Sequence, residues 1–266
     1  MQTLSQYITQ TRIDGHIHLF DHRGLIDKSL FKSKQKCVCF ADIVFKYDDK
    51  YKNNKMLSYY DDFISKYYNG DKHILLATGN NANDIINIYN KYPDIIKGFG
   101  ELKCYSECLQ GKLPYGDIEW ILPLMEFNKD LNLPVYIHLD LDSLYNRAQL
   151  ETLLKLYKFP IVLCHCGMVK SNNMNEKIYS FILGMLSLYS NLYIDISKDE
   201  SCNFFLKNTN KLFNIKDRII FGTDINQSIK EMHTNYKDII NHIYNRLEQL
   251  NRLINTNTLI NKLFAK

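Results

Sequence analysis

The stretch RIDGHIHLF, residues 12–20, sets two histidines one residue apart in an apolar run. Alternate side chains of a strand share a face, so His16 and His18 point the same way, close enough for both imidazoles to hold one cation. Taken alone, the pair could equally be two buried, hydrogen-bonded rings. Further polar residues separate these readings by where they fall. Glu101 is the first acidic residue after the apolar run in IIKGFGELKC (95–104), His138 is the sole histidine of LPVYIHLD (133–140), His165 is that of PIVLCHCG (160–167), and Asp224 closes RIIFGTD (218–224). Each ends an apolar segment. Before His165, the residues of matching parity, Ile161 and Leu163, are apolar, which makes the histidine the polar cap of an inward-facing column. Imidazoles and carboxylates in this mix suit a divalent transition ion: zinc first, with manganese, iron and nickel compatible. A catalytic centre also keeps one position open for water. Such an ion brings the pKa of that water towards neutrality, and a nearby carboxylate takes its proton.

Other polar residues are secondary candidates. Asp195 and Ser197 share a face of LYIDIS (192–197) and could support the site from behind, although Ser197 is equally suited to capping a helix. Lys103, two residues after Glu101 and so on its face, could meet an anionic substrate group or pair with Glu101. Asp140 continues the parity of His138, while Tyr105 and Asn226 lie in adjacent loops. Cys164 and Cys166 have the opposite parity to His165 and are expected to pack outward as small apolar residues.

The elements that must position these groups recur regularly. Eight short apolar runs, those above together with KCVCFADI (36–43) and HILLATGN (73–80), alternate with stretches of helical apolar spacing at 56–68, 83–91, 117–131, 147–157, 174–190, 202–213 and 237–250. In 117–131 an Asp stands as N-cap, and Pro123 either kinks the helix or marks its start. Strands apolar on both faces imply parallel pairing under covering helices, and eight such units make a (β/α)8 TIM barrel with its active site at the C-terminal strand ends. The first crossover, 20–35, reads as mostly loop. An open doubly wound sheet is the competing architecture, but no Gly-rich phosphate fingerprint follows the first strand.

A chain of 266 residues, 45% hydrophobic, fits one such domain spanning 1–266. Its 33 basic and 29 acidic residues are scattered, without the concentrated basic stripe that would favour nucleic acid as partner. The partner expected is a small-molecule substrate. Seven cysteines without framework spacing and an N-terminus lacking the order of a secretion signal point to a reducing cytoplasm. The most apolar helical segment, IYSFILGMLSLY (178–189), is too short to span a bilayer.

HxH after strand one, His after strands five and six and Asp after strand eight resemble the signature of the amidohydrolase superfamily of metal-dependent hydrolases. The words DGHIHLF, LPVYIHLD, VLCHCG, NLYIDIS and DRIIFGTD are most similar to its amidohydrolase-2 branch, over about residues 12–226. The resemblance implies that His16 and His18 bind a first metal with Asp224, which also holds or deprotonates the attacking water. His138 is then a further ligand, and His165 either ligates a second ion or polarises substrate. Many members of that branch lack a carboxylate in strand four. Glu101 there is similar to the glutamate of TatD-type deoxyribonucleases, which bridges two ions, so the resemblance leaves one or two ions open. It implies a metal-activated water acting on a small-molecule amide, ester or lactone. Behind that reading stand a TatD-like phosphodiesterase, a decarboxylase on the same scaffold and a noncatalytic metal-binding barrel. Specificity is expected in loops 20–35, 105–116 and 168–175.

Overall fold

The computed structural model describes residues 13–18, 36–40, 55–79, 81–104, 117–167, 176–197, 199–222, 224 and 256–264. Its strands are β1 Ile13–His18, β2 Lys36–Phe40, β3 His73–Ala77, β4 Ile96–Lys103, β5 Val135–His138, β6 Ile161–Leu163, β7 Leu192–Asp195 and β8 Ile219–Ile220. They pair in parallel and in chain order. The Gly15 amide donates to the Phe221 carbonyl at 2.9 Å, and the Asp224 amide to that of His16 at 2.9 Å, bringing β8 back to β1. The sheet is therefore a (β/α)8 barrel, and its sequential order rules out the doubly wound alternative.

The helices between the strands are α1 Lys55–Lys66, α2 Ala82–Lys91, α3 Leu122–Leu131, α4 Leu144–Leu156, α5 Glu176–Leu188, α6 Asp199–Lys207 and α7 Thr209–Phe213, with α8 Thr256–Leu263 following β8. Two of them, α2 and α4, start on side-chain caps. Asn81 accepts from the Asp84 amide at 2.9 Å and Ser143 from that of Asn146 at 3.0 Å, filling otherwise orphaned N–H groups. Asp117 accepts from the Glu119 amide at 2.8 Å ahead of a 3-10 turn, Glu119–Ile121, so Pro123 marks the start of α3 rather than a kink. The single helix expected over 202–213 breaks at Asn208, whose side chain bonds back to the Phe204 carbonyl at 2.8 Å. The crossover 20–35 and the helix expected over 237–250 lie outside the described residues.

Two apolar layers result. Leu75, Phe99, Ile137, Leu163 and Ile194 face outward against helix residues such as Ile85, Leu150 and Ile182. Val38, Leu76, Tyr136, Val162 and Ile220 face inward and meet Leu259, Ile260 and Leu263 of α8. The last helix thus fills the barrel end opposite the candidate site, a role for which the sequence reading had no element. Among the described residues, no helix is long and apolar enough to cross a membrane.

Candidate metal centre

The ends of β1, β4 and β5, the turn after β6 and the residue Asp224 beyond β8 bring His16, His18, Glu101, His138, His165 and Asp224 to one mouth. In β1 the register shifts between Asp14 and Ile17, and the Asp14 carboxylate accepts the His16 amide at 3.2 Å. This bulge turns both histidines to the interior. In β4, Gly100 has a φ of +136°, and a Cβ there would stand 2.6 Å from that of Tyr136. Only glycine fits this bend, which aims Glu101 inward.

His165 arrives differently from expectation. Strand β6 ends at Leu163, and His165 and Cys166 both take left-handed backbone, with φ of 53° and 56°. Ile161 and Leu163 belong to the outer layer, while Val162 and Cys164 line the interior. Parity counted through Leu163 therefore misplaces the column. Cys164 lies inward, close to His16 and Asp195, whereas Cys166 packs outward as expected. Burial, then the field of Asp195, pushes the Cys164 thiol well above its ordinary value.

Among the described residues the ligand atoms form overlapping groups: His16, His18 and Glu101; Glu101, His138 and His165; and His16, His165 and Asp224, which spans the first two. His16 Nε2 and His18 Nε2 are 3.3 Å apart, and Asp224 Oδ1 lies 3.0 Å from the latter and 3.4 Å from the former. Glu101 Oε2 is 3.5 Å from His18 Nε2, and its Oε1 is 2.5 Å from His138 Nδ1 and 3.2 Å from His165 Nε2. The His138 and His165 rings meet edge to face at 4.5 Å. Four imidazoles and two carboxylates packed so tightly out of water are a donor set that fits one or two divalent ions.

The electrostatics agree with that fit. Burial alone would lift the Glu101 carboxyl, but the His138 charge and hydrogen bonds from His138 and His165 hold it well below the usual range, with Lys103 the smallest contributor. Asp224 is likewise held down against its burial by His165, His18 and His16. Burial would lower the His16 imidazole, yet Asp195, then Asp224 and Glu101, raise it to about 9.

Lys103 stands beside His138 in the sheet register and is partly buried at the mouth. Asp195 Oδ2 lies 2.6 Å from His16 Nδ1, and the Ser197 hydroxyl 2.6 Å from His165 Nδ1. Ser197 therefore serves the site. Asp140 Oδ1 accepts the Asp142 amide at 2.9 Å and shapes the loop after β5. Tyr105, Asn226 and the loops 105–116 and 168–175 lie outside the described residues. Thr78 was not anticipated: its hydroxyl donates to the Glu101 carbonyl at 2.8 Å. Its only signal was a polar residue ending the third apolar run.

A family model for amidohydrolases of the amidohydrolase-2 type matches residues 107–244, just over half the chain. No curated protein matches the sequence. Among solved structures, a probable 2-pyrone-4,6-dicarboxylic acid hydrolase from Acinetobacter baumannii superposes with a TM-score of 0.60 at 18% identity, over 96% of this chain and 99% of that one. A dihydroorotase from Campylobacter jejuni gives 0.55 at 15% identity, covering 96% and 83%. A TatD family hydrolase from Entamoeba histolytica gives 0.55 at 13%, covering 96% and 97%.

Proposed function

The chain belongs to the amidohydrolase family of enzymes, and from that premise we propose that it hydrolyses an amide, ester or lactone bond of a small molecule at a two-ion centre. The position of Glu101 carries the reading. Its two oxygens face different imidazole groups, His18 on one side and His138 with His165 on the other. Two cations a few ångströms apart repel, and a shared carboxylate offsets that repulsion.

His16, His18, Asp224 and Glu101 would hold one ion, and Glu101, His138 and His165 the other; the imidazole-rich set favours zinc. Divalent ions there supply Lewis acidity to the scissile group and water of lowered pKa. Asp224 takes the water proton and passes it to the leaving group. Its side chain keeps 19% exposure while the His16, His18 and Glu101 side chains keep 3% or less, so it is the carboxylate open to substrate. His165, also a catalytic candidate, would polarise the substrate only in place of ligating the second ion. Lys103, at the mouth end of β4, meets an anionic group of the substrate. A cytoplasmic setting is part of this proposal.

Phosphodiester hydrolysis is the second reading, favoured by a glutamate of the TatD kind at strand four and disfavoured by the scattered basic residues. Zinc-loaded protein assayed on a panel of amides, esters and lactones beside a nitrophenyl phosphodiester and single-stranded DNA separates the two. Turnover on the first panel alone is expected. Turnover confined to the phosphodiesters would replace the proposal with its rival.

A further inference from the structure

Asp195 ends β7 and Ser197 follows two residues on, so one short segment carries both side chains beneath the mouth. Asp195 Oδ2 stands 2.6 Å from His16 Nδ1. Asp195 Oδ1 accepts the Ser197 amide at 2.9 Å and also the Ser197 hydroxyl, whose oxygen is 2.6 Å from His165 Nδ1. All four residues are buried. They form one hydrogen-bonded chain, with a ring from each ligand group at either end.

The proton positions follow by elimination. An ionised carboxylate only accepts, so His16 donates to it through Nδ1 and Ser197 gives it its one hydroxyl proton. Towards His165 the Ser197 oxygen can then only accept, so the neutral His165 ring carries its proton on Nδ1, and a hydrogen bond from Nε2 to Glu101 needs the second proton of the imidazolium. Each ring turns Nε2 to the mouth: that of His16 is 3.3 Å from His18 Nε2, and that of His165 is 3.2 Å from Glu101 Oε1.

We infer that Asp195 and Ser197 act as one positioning unit that fixes the tautomer and rotation of a ligand in both groups. A change at Asp195 is therefore felt at His165, although 4.0 Å separates Asp195 Oδ1 from His165 Nδ1. The consequence for ion binding rests on the two-ion reading above; the proton arrangement rests on the hydrogen bonds alone. Orienting partners of this kind typically change metal affinity by about 10- to 100-fold.

Asp195→Ala is the discriminating variant. It removes the oxygen that accepts the Ser197 hydroxyl proton. That proton then turns to His165 Nδ1 and drives the ring proton to Nε2, the atom that faces Glu101. Long-range proton–nitrogen spectra of metal-free, histidine-labelled protein at about pH 10, above the ordinary imidazole range, should show His165 protonated on Nδ1 in the parent and on Nε2 in Asp195→Ala. In zinc titrations Asp195→Ala and Ser197→Ala should each bind the weaker ion roughly 10- to 100-fold less tightly, and Ser197→Thr, which keeps the hydroxyl, should match the parent. An unchanged His165 tautomer in Asp195→Ala, or parent-like zinc binding by Ser197→Ala, would overturn the inference. A parent protein that takes up no zinc would defeat the functional reading, while the tautomer comparison still decides this one.

Discussion

Gly222 lies so close to His16 that a Cβ on it would stand 2.3 Å from the His16 Cβ and 2.6 Å from the His16 nitrogen. This is the seam where the last strand returns to the first, and it leaves the ligand-bearing backbone no room to retreat. Gly222→Ala should cost roughly 1–3 kcal/mol of stability through overpacking, read as a lowered thermal midpoint. An unchanged midpoint would show that the seam gives way freely.

Asp224→Asn keeps the shape of the side chain and removes its capacity to take a proton. Turnover on an identified substrate should fall by about 100-fold or more, the scale of a positioned acid–base group, with the circular dichroism of the parent retained. Parent-like turnover would assign the base to another residue.

His73, at the start of β3, is buried and accepts the Asn69 amide on Nδ1 at 3.1 Å. Burial, aided by Lys72, pushes its imidazole down to about 4 from an ordinary 6.5. Between those values the unfolded chain binds the proton and the folded one does not, so protonation favours unfolding. The stability tied to neutral His73 is complete above about pH 6.5 and lost as the pH falls towards 4, by roughly 2–3 kcal/mol. Denaturant titrations across this window should show that slope in the parent and a shallower one in His73→Gln. Equal slopes would remove His73 as its source.

Helix α8 buries Leu259, Ile260 and Leu263 against the inner face of the strands. Deleting the chain from residue 256 onward removes these three buried side chains, worth about 1.5–3 kcal/mol each, and uncovers the inner layer they meet. The truncated protein should melt at a lower temperature and bind an apolar dye. A parent-like melt would mean that the inner layer closes without the helix.

The barrel was legible because strands buried on both faces leave apolar runs at regular spacing, and the site because polar residues at the ends of those runs stand out against them. Legibility stopped where backbone conformation departed from the regular strand. Alternation places a side chain only while the strand lasts, and His165 and Cys166, with φ of 53° and 56°, lie beyond the end of β6. That is why His165 reaches the mouth by a turn rather than by strand parity, while Cys164, expected outward, faces the interior. The break at Asn208 depends on a side-chain bond to the Phe204 carbonyl that helical spacing does not encode. The role of Ser197, balanced in the sequence between cap and support, was decided by contact with a histidine 32 residues away.

The central claim is that Glu101 joins two ions. Glu101→Gln keeps the size of the side chain and removes its charge, so elemental analysis of parent and variant under saturating zinc tests the claim directly. The parent should hold about two ions per chain and Glu101→Gln about one, since a single shared carboxylate offsets the repulsion between the pair. A parent that never exceeds one ion per chain at saturation would contradict the account and leave Glu101 orienting the ligands of a single ion.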